Sequence, residues 1–306
     1  MDILNIDYTS ARAPVLLCDS LKETGFAVLN HHPIGFELIE KAYQQWRHFF
    51  NSEDKHRYLY ERSTQNGYFP FRTEKAKDQE ISDLKEFYHF YPWGRVPEET
   101  KEISLAICHA LTQLAQELLQ WIEDHLPHEI IRKLSMPLKD MIKESPNTLL
   151  RILHYPPLMQ SRNERAVRAA PHEDINLITL LPAATAPGLE VLDLKGNWHA
   201  VSCDPGSIVV NVGDMLQLCT EYYYRSTTHR VVNPVHAEEN VSRFSMPLFL
   251  HPHPEVCLSP GCKAGDYLQQ RLKKIYITSP ASRERSTRAS AAGEGPPLTN
   301  TLLGEQ

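Results

Sequence analysis

Apolar residues change their spacing near Thr148. Before that point they recur every three to four positions, the period of a helix with one buried face. Ile39, Tyr43, Trp46, Phe49 and Phe50, led by Phe36, predict a core-facing helix over 36–50. A longer stripe that includes Ile103, Ile107, Leu111, Leu114, Leu118 and Ile122 predicts a scaffold helix between 96 and 126. It opens after Pro97 with Glu98 and Glu99 in its first turn, where carboxylates suit the helix dipole, and Pro127 closes it. A short helix is expected over 128–134. Residues 25–30, apolar after a glycine, read as a strand, whereas Asn66, Gly67 and Pro70 mark 64–71 as a loop. The aromatic run 87–93 is expected to form a flap over the core, with pocket lining as its second reading.

From Thr148 onward the runs shorten and become strand-like: 148–155, 175–181, 189–194, 198–201, 207–212, 229–232 and 243–251. Turn residues separate them, including the hairpin signal Lys195-Gly196-Asn197. Many short strands with such turns argue a sandwich or barrel. The expected class is α+β: a double-stranded β-helix, or jelly-roll (cupin-like), core with a helical N-terminal layer. Residues 1–147 form the helical and mixed layer packed on the core, and residues 148–278 form the core with a terminal helix over 264–275. Residues 279–306, rich in Ser, Ala, Arg, Gly and Pro with little to bury, are expected to be a disordered tail. Pro247, inside the last strand, suits an edge or a bulge.

Composition narrows the function classes. The chain has 306 residues, 42% hydrophobic and 23% charged, enough for a large buried core. A net charge of -6 and the absence of a Lys/Arg stripe argue against a nucleic-acid partner. No apolar run reaches bilayer length and no signal segment is evident, so no membrane association and a cytoplasmic location are expected. The six cysteines are scattered rather than framed, as suits reduced thiols.

The chemistry concentrates between Pro171 and Ser245. His172 and Asp174 lie two residues apart, so on an extended segment both side chains share a face. If the following strands fold back to bring His229 beside them, two imidazoles and a carboxylate hold one side of a metal and leave the other positions open. A hydrogen-bonded histidine at a strand end is the alternative for His172 taken alone. Arg243 and Ser245 follow on one strand face, where a guanidinium offers two-pronged recognition of a carboxylate. His251, His253, Cys257 and Cys262 offer a possible zinc set, though a Pro-rich loop leaving the last strand is favoured. A turn or cap role is expected for Asp214, and single hydrogen-bonding roles for His154, His199 and His236.

Pro171-His172-Glu173-Asp174, Thr228-His229-Arg230-Val231 and Arg243-Phe244-Ser245 resemble the iron(II)/2-oxoglutarate-dependent dioxygenase superfamily, in its isopenicillin N synthase-like branch. The likeness extends to residues 21–32, to Phe49-Phe50 followed by Lys55, and to Asp83-Leu84-Lys85-Glu86-Phe87, and it spans roughly Asn5 to Ile275. The resemblance implies a non-haem iron oxidoreductase with His172, Asp174 and His229 as iron(II) ligands. It implies 2-oxoglutarate as cosubstrate, held by Arg243 and Ser245 with Tyr155 assisting, and O2 as oxidant, with succinate and CO2 released. Leu153 stands where plant members carry an Asn, so one polar contact to the cosubstrate is missing. An oxidase that uses O2 without 2-oxoglutarate therefore stays open, as does a non-enzymatic metal- or ligand-binding protein on the same fold. The expected substrate is a small molecule, amino-acid-like in one reading. Tyr68, Phe71, Lys85 and Tyr88 are candidates to meet it, with a surface salt bridge the simpler account of Lys85. Oligomeric state is left open.

Overall fold

The computed structural model describes residues 1–74, 82–158, 167–202 and 204–277; the expected tail and Cys203 lie outside the described residues. The chain opens with β1 (Asn5–Asp7), α1 (Ala13–Thr24), β2 (Phe26–Asn30) and α2 (Phe36–Asn51). Ala13, Leu17, Cys18 and Leu21 line the buried side of α1. Gly25 ends α1 at φ 75, a left-handed conformation open to glycine at little cost, and its N–H donates to the Leu21 carbonyl. In α2 the expected stripe is buried except for its leading residue, Phe36, which is exposed. Burial of Trp46, Phe49 and Phe50 contributes about 1.5–3 kcal/mol each.

The N-terminal region also supplies β3 (Gly67–Phe69) and β4 (Glu86–Phe90), followed by the long α3 (Glu98–Asp124) and two short helices, α4 (His128–Ile131) and α5 (Leu138–Met141). The aromatic run expected as a flap is instead β4, buried along its length between β3 and β5 (Leu149–Tyr155). Its alternation explains the arrangement. Tyr88 and Phe90 face the helices and Phe87 faces the barrel interior, so both sides of the strand are covered. Thr64–Phe71 is likewise more than a loop, since 67–69 pairs with β4.

Beyond β5 come β6 (Ala169–His172), β7 (Ile178–Pro182), β8 (Leu189–Leu192), β9 (Trp198–Ala200), β10 (Ile208–Val212), α6 (Asp214–Cys219) and β11 (His229–Val231). The chain then forms β12 (Arg243–Ser245), β13 (Leu248–Leu250), the hairpin β14 (Cys257–Ser259) and β15 (Cys262–Lys263), and α7 (Ala264–Ile277). Among the described residues the major sheet has nine strands, in the order β1-β2-β10-β7-β13-β5-β4-β3, with β12 also on β5; β6-β11-β8-β9 form the minor sheet. These two sheets make the jelly-roll core. The strand expected over 243–251 divides at Met246-Pro247, in the body of the sheet rather than at its edge. Its antiparallel register with β5 nevertheless runs on from Arg243 opposite Tyr155 to Phe249 opposite Leu149, and the Pro247 carbonyl still accepts from the Arg151 N–H.

Period-two alternation sorts the major sheet into two faces. Ala27, Leu29, Leu150, Ile152, Leu180, Ile208, Val210 and Phe244 join the helices in the large core. The opposite face looks into the barrel, where Phe26, Val28 and Val209 pack with Val191 of the minor sheet, and Leu153 and Tyr155 pack with Ala169 and Val231. This inner face also carries the polar residues of the site.

Candidate active site

β6 and β11 lie side by side, with His172 opposite His229, and a register shift follows before Val231 meets Ala169. The two imidazoles are 4.4 Å apart between ring centroids. Asp174 lies just past the end of β6, in the connection to β7, and this short turn brings its Oδ1 to 4.0 Å from His172 Nε2 and 3.7 Å from His229 Nε2. One ligand atom from each residue falls within 4.8 Å of the others, and no other such set of three occurs among the described residues.

The surrounding hydrogen bonds fix which atoms remain available. His172 Nδ1 donates to the Ala170 carbonyl at 2.8 Å and His229 Nδ1 to the Thr227 carbonyl at 3.1 Å, so each Nε2 presents its lone pair to the centre. Asp174 Oδ2 accepts from Thr179 Oγ1 at 2.7 Å and Asn211 Nδ2 at 2.8 Å, which leaves Oδ1 facing the histidines. Asn176 Nδ2 donates to Thr179 Oγ1 at 3.0 Å and steadies that hydroxyl.

Charge states agree with this geometry. Burial, and then the neighbouring His229, hold His172 below the usual imidazole range and keep it neutral. Burial pushes the Asp174 carboxyl up, but His229, His172 and the bonds from Thr179 and Asn211 outweigh it and hold the group below its ordinary value. Two imidazoles and a carboxylate, with their other polar atoms engaged, could hold a divalent metal from one side.

Deeper in the barrel, Arg243, Tyr155 and Ser245 are all buried on the inner strand face, with Arg243 opposite Tyr155 and Ser245 opposite Leu153. Arg243 Nε donates to the carbonyls of Ala186 at 2.9 Å and Pro187 at 3.1 Å, and the Tyr155 ring centre lies 5.1 Å from its guanidinium carbon. Its Nη1 is buried with no hydrogen-bond partner among the described residues. A small cavity between the sheets, bounded in part by Leu181, Leu189 and Val209, reaches this guanidinium. A buried guanidinium with a free donor fits an incoming carboxylate.

Sequence reasoning missed a charged network beside this site. Lys85 is buried, 2.7 Å from Glu74 and 2.8 Å from Asp83, so the expected surface salt bridge is in fact an interior one. Arg151 reaches Glu74 at 3.4 Å and donates to His89 Nε2 at 2.8 Å. Only Asp83 and Lys85, two residues apart beside an aromatic run, signalled it. Tyr68 and Tyr88 are core residues: Tyr68 hydrogen-bonds Glu86, and Tyr88 donates to the Arg95 carbonyl at 2.7 Å. His154 bridges Glu86 and Ser242 at 2.7 and 2.6 Å. Cys257 Sγ lies 3.0 Å from the Ser259 carbonyl, and its residue is exposed while His251 is buried.

Similarity to known proteins follows the same two parts of the chain. Residues 146–252 match the 2OG-Fe(II) oxygenase superfamily and residues 8–107 match the N-terminal region of the non-haem dioxygenases in morphine synthesis. A proposed oxygenase of Shewanella oneidensis has a crystal structure 48% identical in sequence, with a TM-score of 0.82, covering 90% of this chain and 100% of that one. A proposed 2OG-Fe(II) oxygenase family protein of Caulobacter crescentus is 29% identical with a TM-score of 0.73, over 89% of this chain and 99% of that one. A 2-oxoglutarate-Fe(II) type oxidoreductase of Aspergillus fumigatus is 27% identical over 305 residues, 89% of this chain and 88% of its own length. With a jelly roll whose two sheets meet at a His/Asp/His cluster, this chain belongs to the 2-oxoglutarate- and iron(II)-dependent oxygenase superfamily and is an oxidoreductase.

Proposed function

We propose that His172, Asp174 and His229 hold the iron(II), and that Arg243, with Ser245 and Tyr155, receives the distal carboxylate of 2-oxoglutarate while a small-molecule substrate is oxidised at a C–H bond. The observation that carries this reading is the convergence of His172 Nε2, His229 Nε2 and Asp174 Oδ1 while their remaining ring nitrogens and carboxylate oxygen are already bonded. Iron(II) and 2-oxoglutarate, when bound, supply activation of O2 and yield succinate and CO2 along with the oxidised substrate.

The protein's own residues position and shield. Ala170 and Thr227 carbonyls fix the imidazole tautomers, and Thr179 and Asn211 hold the carboxylate so that one oxygen serves the metal. Arg243 is oriented by the Ala186 and Pro187 carbonyls before any ligand arrives, so a carboxylate meets a preset donor. Phe87, Leu153, Val231 and Ala169 form an apolar patch beside it that limits water. Leu153, in this patch, contributes no polar contact. Among the described residues no helix is long and apolar enough to cross a membrane. We place the enzyme in the reducing cytoplasm, a reading supported by the buried free thiols of Cys18, Cys108 and Cys219.

Anaerobic titration of the Fe(II)-loaded protein with 2-oxoglutarate tests the assignment. A weak visible charge-transfer band that grows and saturates is expected, and Arg243→Lys should shift its midpoint to much higher concentration because a point charge cannot reproduce the two-pronged contact. Iron binding without a band would remove 2-oxoglutarate from the site.

A further inference from the structure

Arg243 is not the only guanidinium at the inner end of the barrel. Arg168, immediately before β6, is 1% exposed, and Arg243 is 2% exposed. Arg168 Nη2 donates to the Val241 carbonyl at 2.9 Å, which ties it to the chain two residues ahead of Arg243. Its Nε is buried and has no hydrogen-bond partner among the described residues, as is true of Arg243 Nη1. Among the described residues neither arginine has an Asp or Glu partner.

Two buried cations are therefore held close, each with a donor to spare. Burial first, and the neighbouring Arg243 next, lower the Arg168 guanidinium to about 10, still charged at neutral pH. Unpaired buried charges are costly, and unfilled buried donors are rare in folded proteins. The strands show which end of the site this is. His229 pairs with His172 at the metal end, Val231 pairs with Ala169 farther along, and Arg168 and Arg243 lie beyond. A ligand that reaches from the metal cluster to Arg243 therefore ends in the neighbourhood of a second buried cation.

We propose that Arg168 is a second cosubstrate-binding residue, its Nε and the Arg243 Nη1 together gripping the distal carboxylate of 2-oxoglutarate. The inference rests on the proposed cosubstrate role of Arg243 and goes beyond it. It also accounts for tolerance of Leu153: the polar contact that residue cannot make is replaced by one from the opposite sheet. A further consequence is strong selection for dicarboxylates, since an oxo acid without the distal charge leaves two cations unneutralised.

The test compares 2-oxoglutarate with 2-oxovalerate, which has a methyl group in place of the distal carboxylate. Affinities are measured anaerobically by calorimetry on Fe(II)-loaded wild type, Arg168→Met and Arg168→Lys. For Arg168→Met the dissociation constant for 2-oxoglutarate is expected to rise tenfold or more, while that for 2-oxovalerate stays within twofold. Arg168→Lys, which keeps the charge and most of the length but loses Nε, should show the same selective loss at fivefold or more and serves alone if the Met variant does not fold. An unchanged 2-oxoglutarate affinity overturns the proposal. Equal weakening of both ligands also overturns it, because that is the signature of a structural role. Failure of the wild type to bind 2-oxoglutarate would instead remove the underlying cosubstrate assignment.

Discussion

Thr179 and Asn211 touch the candidate iron site only through Asp174, yet they decide which carboxylate oxygen is free. Thr179→Val keeps the shape and removes the hydroxyl that donates to Oδ2 at 2.7 Å. Iron affinity should fall roughly 10- to 100-fold, since groups that orient metal ligands carry effects of that size. Stability should drop by about 1–3 kcal/mol, because Asn176 Nδ2 and Asp174 both lose a partner. Anaerobic titration against a competing chelator reads the first effect, and unchanged affinity would mean that Asp174 needs no orienting bond. By contrast, His229→Ala removes a ligand atom and should abolish iron-dependent turnover, which oxygen uptake would reveal. The three ligand candidates were legible in sequence because His172 and Asp174 are local neighbours and His229 stands in a distinctive run. Thr179, Asn211 and Arg168 were not, because each comes from a different part of the chain and reaches its place only when the sheets close.

At the scale of elements, the tightest constraint is where β10 hands over to α6. A Cβ added at Gly213 would lie 2.2 Å from the Asn176 carbonyl oxygen, which is backbone and cannot rotate away. The neighbouring Asp214 N–H donates to the Asp174 carbonyl at 2.8 Å, and Gly213 N–H to the Leu177 carbonyl at 2.8 Å. The close approach thus pins the loop that presents Asp174. Gly213→Ala should push this loop off β10 at a cost of about 1–3 kcal/mol and weaken iron binding together with stability. Thermal unfolding with and without Fe(II) separates the two, and an unshifted melting temperature would show that the loop yields freely. Short apolar runs between turn residues foretold most strands after 148, and helical spacing foretold the helices over 36–50 and 96–126, because that spacing reports burial of one face. They misread 87–93 because a strand covered on both sides has no apolar-to-polar contrast between its two faces. The split at Pro247 also escaped, since continued pairing with β5 depends on a partner distant in sequence.

Over the whole molecule, the two regions expected from sequence share one sheet: β1 and β2 extend it beyond β10, and β3 and β4 extend it beyond β5. The last described helix packs on the same large core through Tyr267 and Leu268. Arg271 of α7 lies 2.8 Å from the Asp214 carboxylate, whose side chain is 7% exposed, and Tyr267 Oη lies 3.4 Å from the same oxygen. Through the Asp214 N–H this contact is one residue removed from the backbone of Asp174. Burial raises the Asp214 carboxyl above its ordinary value, against the pull of Arg271. Ionising a carboxyl whose folded pKa is raised opposes folding, so its cost is absent while the group is protonated and present once pH exceeds the folded value. Arg271→Met removes the main opposing charge and raises that pKa further. The variant should therefore be less stable than wild type by about 1–3 kcal/mol at neutral pH, where the buried carboxylate has lost its cation. The deficit should shrink as pH falls through the titration of Asp214. Unfolding both proteins in denaturant from neutral pH down to about pH 4 tests this, and other carboxylates that titrate in the window cancel in the difference. A deficit of equal size at every pH would mean that α7 is held by packing alone and that Arg271 carries no electrostatic part of the latch.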